Sequence, residues 1–100
     1  MSDKTQIHTA MTIAGSDSGG GAGLQADIKT FAANGVYGST VVTAVTAQNT
    51  LGVHQVLDLP LDIIEAQIAA NLTDIGADVV KTGMLSSPEI IECVAENLAK

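Results

Sequence analysis

The feature that most constrains what this chain can fold into is a glycine-rich loop between an apolar segment and a helix. Five of the ten glycines fall within residues 15–23, and this loop joins the apolar segment 9–14 to a helical pattern that begins at Leu24. Glycine lets backbone amides turn towards a ligand because no Cβ stands in the way. The order of strand, loop and helix therefore predicts a small-ligand site at the loop.

The loop matches neither of the common phosphate-binding patterns. A Walker A loop requires Gly-Lys-Ser/Thr after the glycines, and a dinucleotide-binding fingerprint requires a last glycine where Leu24 stands. A flexible turn that only connects strand to helix is the structural alternative. The length and glycine density of the segment favour a ligand loop.

Hydrophobic patterning predicts strands and helices that alternate along the chain, which is typical of an α/β fold. The segment 39–47 is rich in β-branched, uncharged residues, as expected for a central parallel strand covered on both faces. Alternation implies right-handed crossovers and a mostly parallel central sheet flanked by helices. The predicted strands are 9–14, 39–47, 54–57 and 78–82, and the predicted helices are 24–33, one that Asp62 caps and one that Ser87-Pro88 begins.

Two of the helices carry start signals. Asp62 is predicted to cap the second helix, with Glu65 three residues later as its capping-box partner. Ser87-Pro88 predicts the start of the third helix, since proline is favoured at the first helical position. The predicted buried stripes are Leu24, Ile28, Phe31 and Ala32; Ile64, Ile68 and Leu72; and Ile90, Ile91, Val94, Ala95 and Leu98.

Three segments of ligand-binding character each follow a predicted strand. They are the loop 15–23, the polar run Gln48-Asn49-Thr50, and Gly83-Met84. Ligand loops of a parallel sheet lie at the carboxyl ends of the strands. We therefore expect these three segments to meet at one edge of the sheet.

Two aspartates lie in or near the glycine loop. Asp27 is placed on the inward stripe of the first helix, where it could accept a hydrogen bond from a substrate hydroxyl or amino group. Its structural alternative is to complement the positive N-terminus of that helix. Asp17 is expected to bond the backbone of its own loop, as aspartates in turns often do.

Three further side chains follow or lie within the predicted strands. The Gln48 amide can both donate and accept, which suits the edge of a planar heterocycle, although Gln48 and Asn49 could simply end the strand. Met84 could form the wall of a ring site or fill a gap in the core. Lys81 is expected to pack its stem and keep its head in water.

Charge and composition restrict the classes of ligand. The net charge is −7, with four lysines and no arginine, which argues against nucleic acid and anionic membrane surfaces as partners. Any bound phosphate would depend on backbone amides, helix N-termini or Lys81. No apolar run approaches the roughly 18 residues of a membrane span, and the polar N-terminus shows no signal peptide, so a cytoplasmic protein is expected.

Cysteine and histidine usage predicts neither a disulfide nor a metal. Cys93 is the only cysteine, and its place beside an apolar helical stripe predicts a small buried hydrophobe. His8 and His54 do not make a metal cluster, and neither has a catalytic partner at a meaningful spacing. No metal ligands are therefore assigned in this chain.

Three motifs resemble those of one enzyme family. They are Thr-Ile-Ala-Gly-Ser-Asp-Ser-Gly-Gly-Gly-Ala-Gly-Leu-Gln-Ala-Asp-Ile-Lys-Thr-Phe at 12–31, Thr-Ala-Gln-Asn-Thr at 46–50, and Lys-Thr-Gly-Met-Leu at 81–85. In order and spacing they resemble hydroxymethylpyrimidine/phosphomethylpyrimidine kinase of the ribokinase-like superfamily. The resemblance extends from about residue 9 onward and implies a ribokinase-like α/β fold.

The resemblance also implies a reaction and a set of binding residues. It implies phosphorylation of 4-amino-5-hydroxymethyl-2-methylpyrimidine and then of its monophosphate in thiamine biosynthesis, with ATP and Mg²⁺. By this analogy Gln48 bonds the pyrimidine, Asp27 contacts its polar substituents, and Gly15, Ala22 and Met84 line the substrate pocket. The expected partner is thus a small pyrimidine.

One departure from the family is its length. Family members are more than twice as long, and their later part carries the anion hole, the catalytic base and most of the ATP site. Residues 1–100 are therefore expected to be the N-terminal, substrate-side part of a single ribokinase-like domain, with no catalytic residue and little isolated activity. A pyridoxal kinase-like enzyme and a noncatalytic pyrimidine-binding fragment are the alternatives. Short edge strands favour association into a homo-oligomer or with another chain.

Overall fold

The computed structural model describes residues 6–100 of the chain. The polar residues 1–5, on which the signal-peptide argument partly rests, lie outside the described residues. Four strands and three helices follow one another: β1 (Thr9–Ser16), α1 (Gly23–Ala33), β2 (Tyr37–Asn49), β3 (Gly52–Asp58), α2 (Leu61–Asp74), β4 (Val79–Thr82) and α3 (Pro88–Leu98).

The four strands form one sheet in the order β3-β2-β1-β4. β1 runs parallel to β2 and to β4, whereas β3 runs antiparallel to β2. The prediction of a mostly parallel α/β sheet flanked by helices is confirmed. Strict alternation fails at β3, because only Thr50 and Leu51 separate it from β2, and a parallel crossover needs a much longer connection.

The helices cover both faces of the sheet. Thr12 and Gly38 face α1, since Thr12 bonds Asp27 of that helix and a Cβ at Gly38 would lie 2.8 Å from the Phe31 ring. The neighbouring residues of β1 and β2 point the other way because side chains alternate along a strand. They pack with α2 and α3 in a core formed by Met11, Ile13, Val41, Ile64, Ile68, Ile90, Cys93 and Val94.

The predicted stripes are correct at their first residues, Leu24, Ile64 and Ile90, which are buried, and wrong towards their C-terminal ends. Leu72 is 38% exposed, and Ala32 is also exposed. Each step of four residues turns a helix about 40° past a full turn, so two such steps carry a side chain off the buried side. In α3, Leu98 lies two such steps from the buried Ile90, whereas Ile91 and Ala95 each follow a buried residue directly and lie about 100° around the helix from it, so all three are exposed.

The two predicted helix starts have different outcomes. Ser87 caps α3 as predicted, and its Oγ accepts a hydrogen bond of 3.2 Å from the Ile90 amide. The capping box of Asp62 and Glu65 is wrong. α2 begins two residues earlier than a cap at Asp62 implies, with Pro60 at the cap position, so Asp62 lies inside the first turn and its carboxylate accepts from the Ile63 amide at 2.9 Å.

Two amide side chains of α2 close part of the β2 edge. β3 pairs with β2 only from Ala44 onward, which leaves the first half of that edge without a strand partner. Gln67 accepts from the Val42 amide at 2.9 Å and donates to the Val42 carbonyl at 3.0 Å, and Asn71 donates to the Thr40 carbonyl at 2.9 Å. These bonds satisfy backbone groups that a neighbouring strand would otherwise bind.

Within residues 6–100, no helix is long and apolar enough to cross a bilayer.

Candidate functional site

A cavity of about 420 Å³ lies at the carboxyl ends of β1, β2 and β4. The glycine loop, Gln48 and the Gly83-Met84 segment all contribute to its lining, so the prediction that these segments meet is confirmed. Four residues proposed for binding line the cavity, namely Gly15, Ala22, Gln48 and Met84. Asp27 does not line it.

Asp17 fixes the glycine loop from within. Its side chain is 5% exposed and accepts hydrogen bonds from three loop amides, those of Gly19 at 2.8 Å, Gly21 at 3.0 Å and Ala22 at 2.7 Å. The expectation that Asp17 bonds its own backbone is therefore confirmed. These three amides already donate to a carboxylate of the chain itself and are therefore not free to bind an anion. The sequence alone does not reveal this.

Gln25 ties the loop to the end of β1. Its Oε1 accepts from the Asp17 amide at 2.8 Å, and its Nε2 donates to Ser16 Oγ at 2.8 Å. The backbone at Gly23 has a φ of +59°, and a Cβ there would lie 2.5 Å from the Gly15 carbonyl oxygen. A side chain at position 23 is therefore excluded both by conformation and by space. Gln25 was missed because its partners depend on the loop conformation.

Gln48 is held at the mouth of the cavity through its own backbone. Ser18 Oγ lies 2.7 Å from the Gln48 amide and 2.6 Å from the Gln48 carbonyl oxygen, which joins the glycine loop to the end of β2. The Gln48 Oε1 lies 3.2 Å from the Thr46 hydroxyl. The backbone is thus anchored independently of the side-chain amide that lines the cavity.

The cavity walls are mainly apolar. Val53 and Val56 of β3 face it, and Ala14 and Ala44 of the two inner strands form its floor. Met84 is 86% exposed and lies at the rim, which agrees with a wall residue and not with a core filler. The two valines could not be assigned to the site from the sequence, because the antiparallel hairpin that brings them there was not predicted. Such a surface suits the faces of a flat ring.

Asp27 and Lys81 form an ion pair beside the cavity. Lys81 Nζ lies 3.0 Å from each carboxylate oxygen of Asp27, and the buried Thr12 hydroxyl donates to the same carboxylate at 2.6 Å. The Asp27 side chain is 16% exposed and that of Lys81 is 47% exposed. Lys81 therefore lines the cavity, and its head, expected to lie in water, is half-exposed and paired with a carboxylate.

The protonation of Asp27 follows from this setting. Partial burial works to raise the pKa of Asp27, but hydrogen bonds from Thr12 and Lys81 and the positive charge of Lys81 together lower it below the ordinary value. Asp27 is therefore a carboxylate at neutral pH. Its side chain bonds Thr12 and Lys81, so it does more than complement the positive N-terminus of its helix.

Residues 6–100 do not by themselves fit a site for a metal-bound nucleotide. Across this described part of the chain, no three His, Cys, Asp or Glu side chains come together as metal ligands. Three loop amides are already bonded to Asp17. The chemistry that the described site supports is the binding of a small, flat, mostly neutral molecule with a polar edge.

Comparison with known proteins agrees with this architecture. The profile of a family described as phosphomethylpyrimidine kinase matches residues 17–100. The chain is similar to a hydroxymethylpyrimidine/phosphomethylpyrimidine kinase of Haemophilus influenzae, with 55% identity over 95 residues, which are 95% of this chain and 35% of that protein.

Solved structures give the same result. A phosphomethylpyrimidine kinase from Clostridium difficile superposes with a TM-score of 0.90 and 59% identity, over 92% of this chain and 40% of that one. A Bacillus subtilis pyridoxal kinase, solved as an ADP complex, superposes with a TM-score of 0.85 and 47% identity, over 94% of this chain and 37% of that one. The ribokinase-like fold expected from the motifs is confirmed.

The chain spans about a third of the length of the curated relatives that it matches. The matched region nevertheless includes the glycine loop from Asp17 onward and the other two segments of the cavity. On the extent of the profile match and the identity to its relatives, the chain belongs to the phosphomethylpyrimidine kinase family.

Proposed function

We propose that this chain is the substrate-binding part of a kinase that phosphorylates 4-amino-5-hydroxymethyl-2-methylpyrimidine and then its monophosphate, in thiamine biosynthesis. The observation that carries the proposal is the cavity itself, in which an amide side chain, Gln48, stands at the edge of apolar walls. A pyrimidine needs this combination, because its faces are apolar and its ring nitrogen and amino group are polar.

The proposed roles follow from the position of each residue. Gln48 bonds the polar edge of the ring, and Met84 covers one face. Gly15 and Ala22 present almost no side chain, so the ring can approach the backbone closely. Asp27 does not line the cavity, and we propose that it acts on a ligand through Lys81.

In the first proposed transfer, the substrate hydroxyl oxygen forms a bond to the γ-phosphorus of ATP, and in the second an oxygen of the monophosphate group takes this role. The bond from that phosphorus to the β,γ-bridging oxygen breaks, and the hydroxyl proton passes to a base. We assign positioning of the hydroxyl to this chain. ATP and Mg²⁺ are assigned mainly to parts of the complete family fold other than residues 6–100, and the proposed location of the protein is the cytoplasm.

The test is direct binding of the hydroxymethylpyrimidine to this chain, measured by isothermal titration calorimetry. Replacing Gln48 with alanine should weaken binding about tenfold, because the buried ring edge loses its hydrogen-bond partner. Gln55→Ala is the matched control, since Gln55 is exposed on β3 and does not line the cavity. Absence of binding by the unaltered chain, or an equal loss in both variants, would contradict the proposal.

A pyridoxal kinase-like activity is the second candidate. It is supported by the similarity to pyridoxal kinases, which superpose with TM-scores of 0.83–0.85 at 41–47% identity. The same titration with pyridoxal separates the two candidates, since part of a hydroxymethylpyrimidine kinase should bind the hydroxymethylpyrimidine more tightly than pyridoxal. Incubation with ATP and Mg²⁺, followed by mass spectrometry, then tests whether the chain transfers phosphate or only binds.

A further inference from the structure

The second substrate in the proposed function differs from the first by a phosphate group. A phosphate monoester carries close to two negative charges at neutral pH. The chain has a net charge of −7, so its overall field repels such a ligand. A positively charged group in the cavity would compensate for this charge.

The glycine loop is poorly suited to provide that group. Its amides at Gly19, Gly21 and Ala22 already donate to the Asp17 carboxylate at 2.7–3.0 Å. A phosphate that used these amides would have to displace a buried carboxylate, which would then lack partners. Asp17 also adds negative charge at this side of the cavity.

A full positive charge at neutral pH comes from lysine side chains, because the chain contains no arginine. Lys29 donates to the Gly20 carbonyl at 2.7 Å, and Lys100 lies 3.9 Å from Glu65 on the surface. Among the lysines in the described range 6–100, Lys81 is the one that lines the cavity. Its position on β4 places it next to Gly83, where the third segment of the site begins.

The ammonium of Lys81 lies close both to Asp27 and to Gly83, which lines the cavity. An ammonium has three N–H donors, and both carboxylate oxygens of Asp27 accept from it at 3.0 Å. Asp27 does not line the cavity, so a ligand meets the ammonium before the carboxylate. A Cβ at Gly83 would clash with Ala14 Cβ at 2.9 Å and would lie in ordinary contact with Lys81 Nζ at 3.6 Å, so the ammonium lies beside a cavity-lining glycine.

We propose that Lys81, oriented by Asp27, binds the phosphate group of the monophosphate substrate and so adapts one cavity to both the neutral and the charged pyrimidine. This assignment rests on the proposed function and adds a specificity residue to it. Lys81 is a binding residue here, and Asp27 is its positioning residue. A purely structural ion pair is the competing explanation.

The experiment compares two ligands and several variants of this chain by calorimetry. The ligands are the hydroxymethylpyrimidine and its monophosphate. Lys81→Met should weaken binding of the monophosphate tenfold or more, because a charge-assisted hydrogen bond is lost, and should change binding of the neutral pyrimidine less than threefold. Lys81→Arg should retain most of the binding. Lys100→Met, which removes the same charge far from the cavity, should alter neither.

A double variant keeps the proposal testable if Lys81→Met does not fold. Lys81→Met leaves Asp27 without its cation, so Lys81→Met/Asp27→Asn removes both charges together and keeps the net charge of the unaltered chain. It should show the same selective loss, with its fold checked by circular dichroism. In addition, raising the salt concentration should weaken binding of the monophosphate to the unaltered chain more than to either variant.

The outcomes separate the two proposals. If the unaltered chain binds neither compound, the proposed function fails and the role of Lys81 fails with it. If it binds the neutral pyrimidine but not the monophosphate, the assignment of Lys81 and the second phosphorylation fail, while the first phosphorylation stands. If it binds both and the folded variants lose both ligands equally or neither, only the assignment of Lys81 fails. Selective loss of the monophosphate supports both.

Discussion

At the scale of single residues, the site is built from pairs that are distant in sequence. Lys81 and Asp27 are 54 positions apart, and Ser18 and Gln48 are 30 apart. Local patterns placed Asp27 on the inward side of its helix and Gln48 after its strand. They could not show that Asp27 faces a lysine, because this pairing depends on β4 lying beside β1.

The ion pair predicts a pH-dependent contribution to stability. Because folding lowers the pKa of Asp27 below its ordinary value of 3.8, its stabilising effect is complete above that value and disappears as pH falls through the folded pKa. We expect Asp27→Asn to lower the free energy of unfolding by roughly 1–2 kcal/mol at neutral pH. The loss is no larger because Lys81 is half-exposed and solvent weakens its pairing with Asp27.

Urea denaturation from about pH 7 to about pH 2.5 measures this effect. The difference in unfolding free energy between the unaltered chain and Asp27→Asn should shrink below about pH 4. Glu92→Gln makes the same chemical change at an exposed position of α3 and should show little difference. A difference for Asp27→Asn that stays constant down to the lowest pH would contradict an ionised Asp27.

At the scale of elements, those with strong local signals were predicted well. The first strand and helix follow from an apolar run, a glycine loop and a periodic stripe, and Ser87-Pro88 marks the start of α3. The antiparallel direction of β3 could not be predicted, because a short apolar strand has the same sequence pattern in a parallel and in an antiparallel pair. As a result, the valine wall of the cavity was missed.

The closure of the β2 edge by α2 leads to a second prediction. Gln67→Ala removes the partners of both backbone groups of Val42 and should lower the free energy of unfolding by about 1–3 kcal/mol. Asn71→Ala removes the partner of one carbonyl, that of Thr40, and should cost less. Chemical denaturation of both variants, with Gln55→Ala as the control, provides the measurement. Equal effects of all three would show that the bonds from Gln67 and Asn71 to β2 contribute no more to stability than an exposed glutamine side chain.

At the scale of the whole molecule, the chain is a flat body with an exposed sheet edge. Its extents are 47 × 32 × 16 Å, and its radius of gyration of 14.1 Å exceeds the roughly 13 Å of a compact chain of this length. All residues of β3 are exposed, with Leu57 at 65%, and Val45 is exposed beside it. An uncovered strand edge with apolar side chains favours pairing with another strand.

We therefore expect this chain to self-associate through β3. Sedimentation velocity should show a larger species as concentration rises, and Leu57→Lys should suppress it, because a charge on an edge strand opposes pairing. Leu57 does not line the cavity, so ligand binding should persist in this variant. Leu51→Lys in the hairpin turn serves as the control for general hydrophobicity. Equal suppression by both variants would point to nonspecific association.

The internal carboxylate of Asp17 has a consequence for the kinetics of ligand binding. A glycine-rich loop left free would lose much conformational entropy when it closed on a ligand. Here that loss occurs during folding, when Asp17 gathers the loop amides around itself. We therefore expect the ligand to meet a cavity that already exists, with an association rate set by encounter and orientation and not by a preceding loop rearrangement.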